Sequence, residues 1–410
     1  MGISDVITLL GGVALFLFGM SLMGDGLKKV AGNKLELVLY RLSSTPLKGV
    51  LLGTAVTAVI QSSSATSVMV VGFVNSGMMQ VKQAIGVVMG AILGTSVTGW
   101  ILCLSDLSGG SGWVELLSTA TLTGIVAIVG IVLRMAGKKQ STLAVGNILM
   151  GFAVLMFGMS AMSGAVAPLK ESVAFTGILT SFSNPFLGIL VGIAFTSILQ
   201  SASAAVGILQ ALAITGAVTF EVAFPIIMGI AVGAAVPVLL SALGANIHGR
   251  RTAFVYLLID VLGVIIWATV FYTVNAFVHF SFMTQTMTTV SIALLNTLFR
   301  LATVVVLTPL IGLLERFVCF LIPDRSSANA AQLEMDRLEE RFLQHPALAI
   351  EQSREVTAAM ANTACCNLVD SLRLIGAYSD KTFQHIEEQE ETIDRFEDKL
   401  GTYLMKITVK

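Results

Sequence analysis

The chain is short of charge. Asp, Glu, Lys and Arg make up only 12% of its 410 residues, while 55% are hydrophobic. Ordinary soluble domains carry about 25% charged residues, so the composition excludes a freely soluble globular protein and fits a chain embedded in lipid. Cysteine is scarce as well. Cys103, Cys319, Cys365 and Cys366 show no CxxC spacing, which gives no disulfide framework and fits a reducing cytosol for the last pair. The four histidines, His248, His279, His345 and His385, lack metal-ligand spacing, and no nucleophile–base motif occurs, so an enzyme is not expected. No basic run points to nucleic acid. No basic stretch precedes the first apolar segment, Val6–Met23; Asp5 does. That segment reads as an uncleaved helix.

The charge that is present is uneven. Residues 1–323 carry 14 basic and 9 acidic side chains, and residues 324–410 carry 10 and 16. The chain therefore divides near Pro323 into a membrane domain, 1–323, and an acidic tail, 324–410.

What the membrane part has is a repeat. Gln61-Ser62-Ser63-Ser64-Ala65 returns as Gln200-Ser201-Ala202-Ser203-Ala204, a shift of 139. Phe18-Gly19-Met20-Ser21 returns as Phe157-Gly158-Met159-Ser160 at the same shift, as do Pro46 and Pro185, Gly53 and Gly192, Thr57 and Thr196, Gly90 and Gly229, and Gly94 and Gly233. An ungapped register of this length indicates internal duplication. Repeat one covers about 5–134, repeat two about 143–278, and an extra span covers 287–314.

A membrane span needs roughly 20 apolar residues. Val6–Met23, Ala84–Leu104, Trp113–Arg134, Leu143–Met162, Val222–Leu243, Thr252–Val278 and Met287–Leu314 are long enough. The motif regions, Pro46–Ser76 and Pro185–Thr215, differ: each opens on Pro and is interrupted mid-way by the Gln-Ser cluster. Each arm, at about 15 residues, reaches only the midplane, so both are predicted to be re-entrant hairpins with the motif at the tip. Basic residues test this. Lys28, Lys29, Lys34, Arg41 and Lys48, then Lys82, then Arg134, Lys138 and Lys139, then Arg250 and Arg251, all fall on one side if the hairpins do not cross, while Lys170 and Glu221 fall on the other, where the second hairpin enters. Expected, then, is an all-α polytopic membrane protein with inverted structural repeats, its N-terminus outside and a cytoplasmic helical tail.

At each tip the second arm begins a helix near Ser62 or Ser201, pointing free N–H groups at the membrane centre. Gln61, Ser62, Ser63, Ser64, Gln200, Ser201 and Ser203 add amide and hydroxyl groups. Two such tips make an uncharged donor field suited to a small oxyanion. Unwound backbone and hydroxyls in Gly90–Thr98, with Thr95, Ser96 and Thr98, suit sodium. The plainer reading is that Ser and Gly let helices pack closely; a duplicated pair with Gln at matching positions favours the site.

These residues resemble the sodium–phosphate cotransporter family, which includes the type II cotransporters of animals and bacterial relatives. The resemblance is carried by QSSSATS, QSASA, the FGM turns, GTSVT and the Arg250-Arg251 pair, over about residues 5–320. It implies an inverted-repeat transporter of inorganic phosphate, with phosphate and sodium held between the hairpins, no other cofactor, a bacterial plasma membrane, and room for a homodimer. Some positions depart from the family pattern Gly-x-Asn-x-Gly-Thr-Thr/Ser. Ile92 stands at the Asn of the first copy, and Ala231, Ala234 and Ala235 replace polar groups in the second, with Pro237 following. Sodium number and sodium use stay open.

Asp260 and Arg300 lie inside apolar spans, where the family tends to show His-x-x-Phe-Asn. A direct buried ion pair is expected; a cation- or proton-binding Asp260 is the functional alternative. In the tail, Ala330–Phe342, Ala349–Ala377 and Thr382–Lys406 show helical spacing and resemble part of a PhoU-like domain, whose Glu-x-x-x-Asp spacing implies a metal site at Glu390, Asp394 and Asp398. A solvated helix face is the alternative. The chain stops in a helical pattern, leaving open whether the domain continues. The competing function is a phosphate-sensing membrane regulator acting through the tail without net transport.

Overall fold

The computed structural model describes residues 3–31, 45–75, 79–106, 119–167, 182–243, 245–323, 335, 337–344, 346–376 and 378–408. They form an all-α fold; among the described residues the only β-type pairing is one isolated bridge, Thr219 with Thr286. Among the described residues six helical segments are long and apolar enough to cross a membrane: Ser4–Ala31, Val81–Leu102, Gln140–Val166, Phe220–Ser241, Ile247–Val278 and Thr289–Leu321. Lys34, Arg41, Lys170 and the starts of the expected Trp113–Arg134 span and Ala330–Phe342 helix lie outside the described residues.

The duplicated register reappears as duplicated elements. After α1 (Ile3–Ala31) come α2 (Pro46–Ile60), α3 (Ser63–Asn75), α4 (Val81–Gly94), α5 (Ser96–Leu102) and α6 (Thr119–Ala136). The second copy runs α7 (Gln140–Val166), α8 (Pro185–Leu199), α9 (Ala202–Ile214), α10 (Phe220–Gly233) and α11 (Val236–Ser241). Helices α2 and α8 start alike: Pro46 and Pro185 occupy the first turn, capped by the Thr45 and Asn184 side chains. The segments expected as single spans at Ala84–Leu104 and Val222–Leu243 are each divided, at Thr95 and at Ala234–Ala235.

Close backbone contact explains the paired glycines. A Cβ on Gly90 would overlap the Val50 carbonyl oxygen, and one on Gly229 would overlap the Ile189 carbonyl oxygen, the same contact 139 residues on. Gly53 and Gly192 likewise face the Val87 and Ile226 carbonyls. Along these contacts both partners advance together, so α4 runs parallel to α2 and α10 parallel to α8. Helices α1 and α7 pack differently. Gly12 meets Gly158, Gly19 meets Gly151, and Gly26 meets Ala144, so these two run antiparallel. Small residues at the crossing let them approach closely, as in lipid.

The remaining membrane-length helices are α12 (Ile247–Val278) and α13 (Thr289–Leu307), followed by α14 (Ile311–Leu321). Helix α12 packs on the first hairpin, on α4, α10 and α13. The tail is an antiparallel pair, α15 (Pro346–Gly376) and α16 (Asp380–Thr408). It docks on the end of the first hairpin. The Phe342 ring stacks on Phe73 with centroids 5.8 Å apart, Asn75 donates to Glu339 Oε1, and Tyr403 donates to the Glu339 carbonyl at 2.9 Å.

Candidate functional site

Gln61 ends α2 and Gln200 ends α8, both in the left-handed conformation with φ of 58° and 53°. Among the described residues His279 is the only other non-glycine residue with positive φ. That conformation costs a residue with a side chain about 1–2 kcal/mol. The same strained cap recurs at the same repeat position in both halves. The turn aims the following helix. Ser62 Oγ accepts from Ala65 N, and Ser201 Oγ from Ala204 N, each at 3.2 Å. Each cap satisfies one of the helix-start N–H groups and leaves others free.

Both tips line one cavity of about 230 Å³. Gln61, Ser62, Ser63 and Ser64 form one wall; Gln200, Ser201, Ala202 and Ser203 form another. That volume is enough for a small oxyanion with several waters. Helix α1 closes a third side with Leu17, Met20, Ser21, Gly24, Asp25 and Lys28. The positions 139 residues on, Ser160, Ser163 and Gly164 in α7 and Ala167 at its cap, do not line it. Asp25 and Lys28 form an ion pair at 3.6 Å, each about half exposed.

Thr98 ties the halves together. Its hydroxyl donates to Gln61 Oε1 at 2.9 Å and accepts from Ser203 Oγ at 3.4 Å. Of the other expected cation ligands, Thr95 Oγ1 is spent on the Ala91 carbonyl of its own turn at 3.1 Å, whereas Ser96 Oγ is buried without a partner. Their counterparts, Ala234, Ala235 and Pro237, carry no such groups. The tips are unequal too. Thr57 donates to Thr66 at 3.0 Å within the first hairpin; Ala205 stands at the Thr66 position of the second, and Thr196 Oγ1 is left unpartnered.

Asp260 and Arg300 are both buried, at 2% and 1% exposure. The direct ion pair expected between them is not made. Arg300 turns to α4 instead, donating Nη1 to the Ile92 carbonyl at 3.2 Å and Nε to Asn296 Oδ1 at 3.1 Å. Asp260 Oδ2, Arg300 Nη2 and Asn296 Nδ2 are buried with no hydrogen-bond partner. Arg300 remains within electrostatic reach of Asp260 and of the Tyr256 hydroxyl. Tyr256 in turn donates to Ser63 Oγ at 3.3 Å, so the charged layer touches the first tip. The tail carboxylates are not gathered. Glu390, Asp394 and Asp398 are exposed along one side of α16, with Asn367 donating to Glu390 at 3.4 Å. Among the described residues no three His, Cys, Asp or Glu side chains are grouped to hold a metal. Spacing of four places such groups on one helix face, but a metal also needs ligands from a facing element.

Several site residues escape sequence reasoning. Lys28 reads only as a topology charge, and Asp25 is not singled out at all. Tyr256 carried a readable signal, lying one turn before Asp260 on the same face. Gln210 carried one as well, as a polar side chain in an apolar arm. It is fully buried and donates to the Gly99 and Thr289 carbonyls at 3.1 and 2.9 Å, pinning α9 to α5 and α13.

Comparison with known proteins follows the same residues. The chain is 26% identical over 315 residues to the uncharacterized protein YqeW of Bacillus subtilis, covering 76% of this chain and 96% of that protein. It is 26% identical over 356 residues to the putative inorganic phosphate export protein YjbB of Escherichia coli, covering 85% of this chain and 61% of YjbB. Human sodium-dependent phosphate transport protein 2B is 32% identical over 123 residues, 30% of this chain and 18% of that protein. No solved structure matches. The Na+/Pi-cotransporter family model matches residues 15–164 and 169–294, a stretch that holds both glutamine turns, both tips and the cavity wall on α1. The chain belongs to the Na+/Pi-cotransporter family.

Proposed function

We propose that this chain is a secondary transporter that carries inorganic phosphate across the plasma membrane, with the anion held between the two glutamine-serine tips. One observation carries the reading: two strained turns, related by the repeat, present hydroxyls and helix-start N–H groups to a single cavity. No formal charge belongs to the tips themselves, so the anion is held by many donors and can be released. The antiparallel packing of α1 on α7, against the parallel packing within each half, supports inverted repeats. In that arrangement the hairpins enter from opposite faces, and Lys28, Lys48, Lys82, Lys139 and Arg250 share the cytoplasmic side with the tail. Sodium is the coupling ion that the family name carries. The unpartnered Ser96 hydroxyl supports a cation near the first tip, and the apolar second copy supports a smaller set of sites than two matching halves would give.

Uptake of labelled phosphate into proteoliposomes, with and without a sodium gradient, tests this. Accumulation that follows the gradient is expected. A second reading has its own observation. The tail grips the return arm of the first hairpin through Phe342 and Glu339, as a sensor reporting tip occupancy would. Phosphate binding without flux would favour it.

A further inference from the structure

We propose that Asp260 carries a proton that moves together with phosphate and reaches it from the tip cavity through Ser63 and Tyr256. This deepens the phosphate reading and rests on it.

The layer around Asp260 is unfinished as it stands. Three buried polar atoms, Asp260 Oδ2, Arg300 Nη2 and Asn296 Nδ2, lack partners. Such groups are costly inside lipid unless they are used. Arg300 cannot simply swing over, because the Ile92 carbonyl and Asn296 hold it in place. A carboxylate left bare here is the expensive member, and a proton removes its charge without needing a coordination shell. A hard metal cation, by contrast, is held by several oxygens, and the groups facing Asp260 are mostly donors.

The route is built from hydroxyls. Ser63 lines the cavity. Tyr256 donates to it at 3.3 Å, and Tyr256 lies one turn from Asp260 on α12. Arg300 and Tyr256 are the charged or titratable groups facing Asp260. Of the other helices packed on α12, α3 and α11 contain no titratable residue. Lys82 and Glu221 sit in the first turns of α4 and α10, and Glu315, Arg316 and Cys319 lie on α14, on the order of 20 Å of helix beyond Arg300.

Coupling follows from charge. A guanidinium keeps its charge. When Asp260 is neutral, nothing offsets the guanidinium, and its field favours an anion at the first tip. When Asp260 ionises, that field is cancelled. Proton and phosphate therefore raise each other's affinity by the same factor, which is the condition for moving together.

The test uses the full chain in proteoliposomes, with sodium equal on both sides and a pH difference of one unit. Labelled phosphate should accumulate on the alkaline side, up to about tenfold for one proton per phosphate. Asp260→Asn, a fixed mimic of the neutral acid, should lose that accumulation. Phosphate–phosphate counterflow, which needs no net proton movement, should fall far less. Tyr256→Phe should reach the same accumulation more slowly. Wild-type counterflow without pH-driven accumulation overturns the proposal, as does Asp260→Asn accumulating like wild type. If Asp260→Asn does not insert, an unchanged rate in Tyr256→Phe overturns the route. Absence of counterflow in the wild type refutes the phosphate reading instead.

Discussion

Thr98→Val isolates the link between the two tips. Valine keeps the shape and removes only the hydroxyl, which donates to Gln61 Oε1 at 2.9 Å and accepts from Ser203 Oγ at 3.4 Å. Thr98 itself is buried at 1% exposure. Deleting one partner of a buried hydrogen bond costs about 1–3 kcal/mol. The low half of that range applies, because Gln61 and Ser203 line the cavity and water can replace part of the loss. The Ser203 bond is long and adds little. About 1–2 kcal/mol lost from the bound geometry corresponds to a roughly 5- to 30-fold weaker phosphate affinity. Thr95→Val is the matched control. Its hydroxyl bonds only to its own helix carbonyl, so affinity should shift by less than about twofold, within the ±0.5 kcal/mol of neutral changes. Equilibrium binding of labelled phosphate to purified protein reads both. If Thr98→Val binds like wild type, or if the two variants weaken binding equally, Thr98 does not hold the tips in register.

Gln61→Ala and Gln200→Ala should each weaken phosphate binding, because each removes an amide from the cavity wall; wild-type affinity in both sinks the shared site. Gly90→Ala and Gly229→Ala each drive a Cβ into a carbonyl oxygen of the neighbouring helix, so each should lower thermal stability in detergent by about 1–3 kcal/mol. Similar losses are expected in the two halves; a loss confined to one would argue against equivalent packing. At the tail junction, burial and then Glu339 and Glu340 push the Tyr403 hydroxyl above its ordinary value of 10.0. With α16 detached from Glu339, Tyr403 ionises at lower pH. The Tyr403–Glu339 contact inside the tail should be intact below pH 10 and weaken as pH rises past it, with proteolysis of the tail as the readout. Tail cleavage that does not change between pH 9 and 11 would contradict this.

Much of the membrane fold was readable because the duplicated register constrains it twice. Pro46 with Pro185 and Gln61 with Gln200 mark both ends of each hairpin arm, and the arms run Pro46–Ile60 and Pro185–Leu199. The two tail helices also lie close to their expected bounds, since breakers are absent inside them. What could not be read was partner choice across elements. Depth along a helix follows from counting residues, but the direction of a long side chain does not. Arg300 was expected on Asp260, yet a backbone carbonyl at Ile92 lies in its reach and α4 crosses there. The apolar residue at position 92 gave no hint, because its carbonyl is the acceptor. The bonds of Thr98 were hidden for a similar reason. Its type fits a cation ligand, and only the fold shows that its hydroxyl also donates to Gln61.

The cavity wall on α1 bears Asp25 and Lys28, whereas the matching stretch of α7 and its cap bears Gly164 and Ala167. Under the proposed function, the two mouths of a carrier built this way would be chemically unequal. A lysine near one mouth speeds the approach of an anion by steering. Where it lowers the barrier without changing the bound state, it speeds departure on that side by the same factor. Apparent half-saturation can therefore differ between the two sides, while the equilibrium distribution cannot. Microscopic reversibility leaves this asymmetry no power to choose a direction. Under that function, net flux would be set by the ion and anion gradients outside the scaffold, and reversing them would reverse it without altering a single contact.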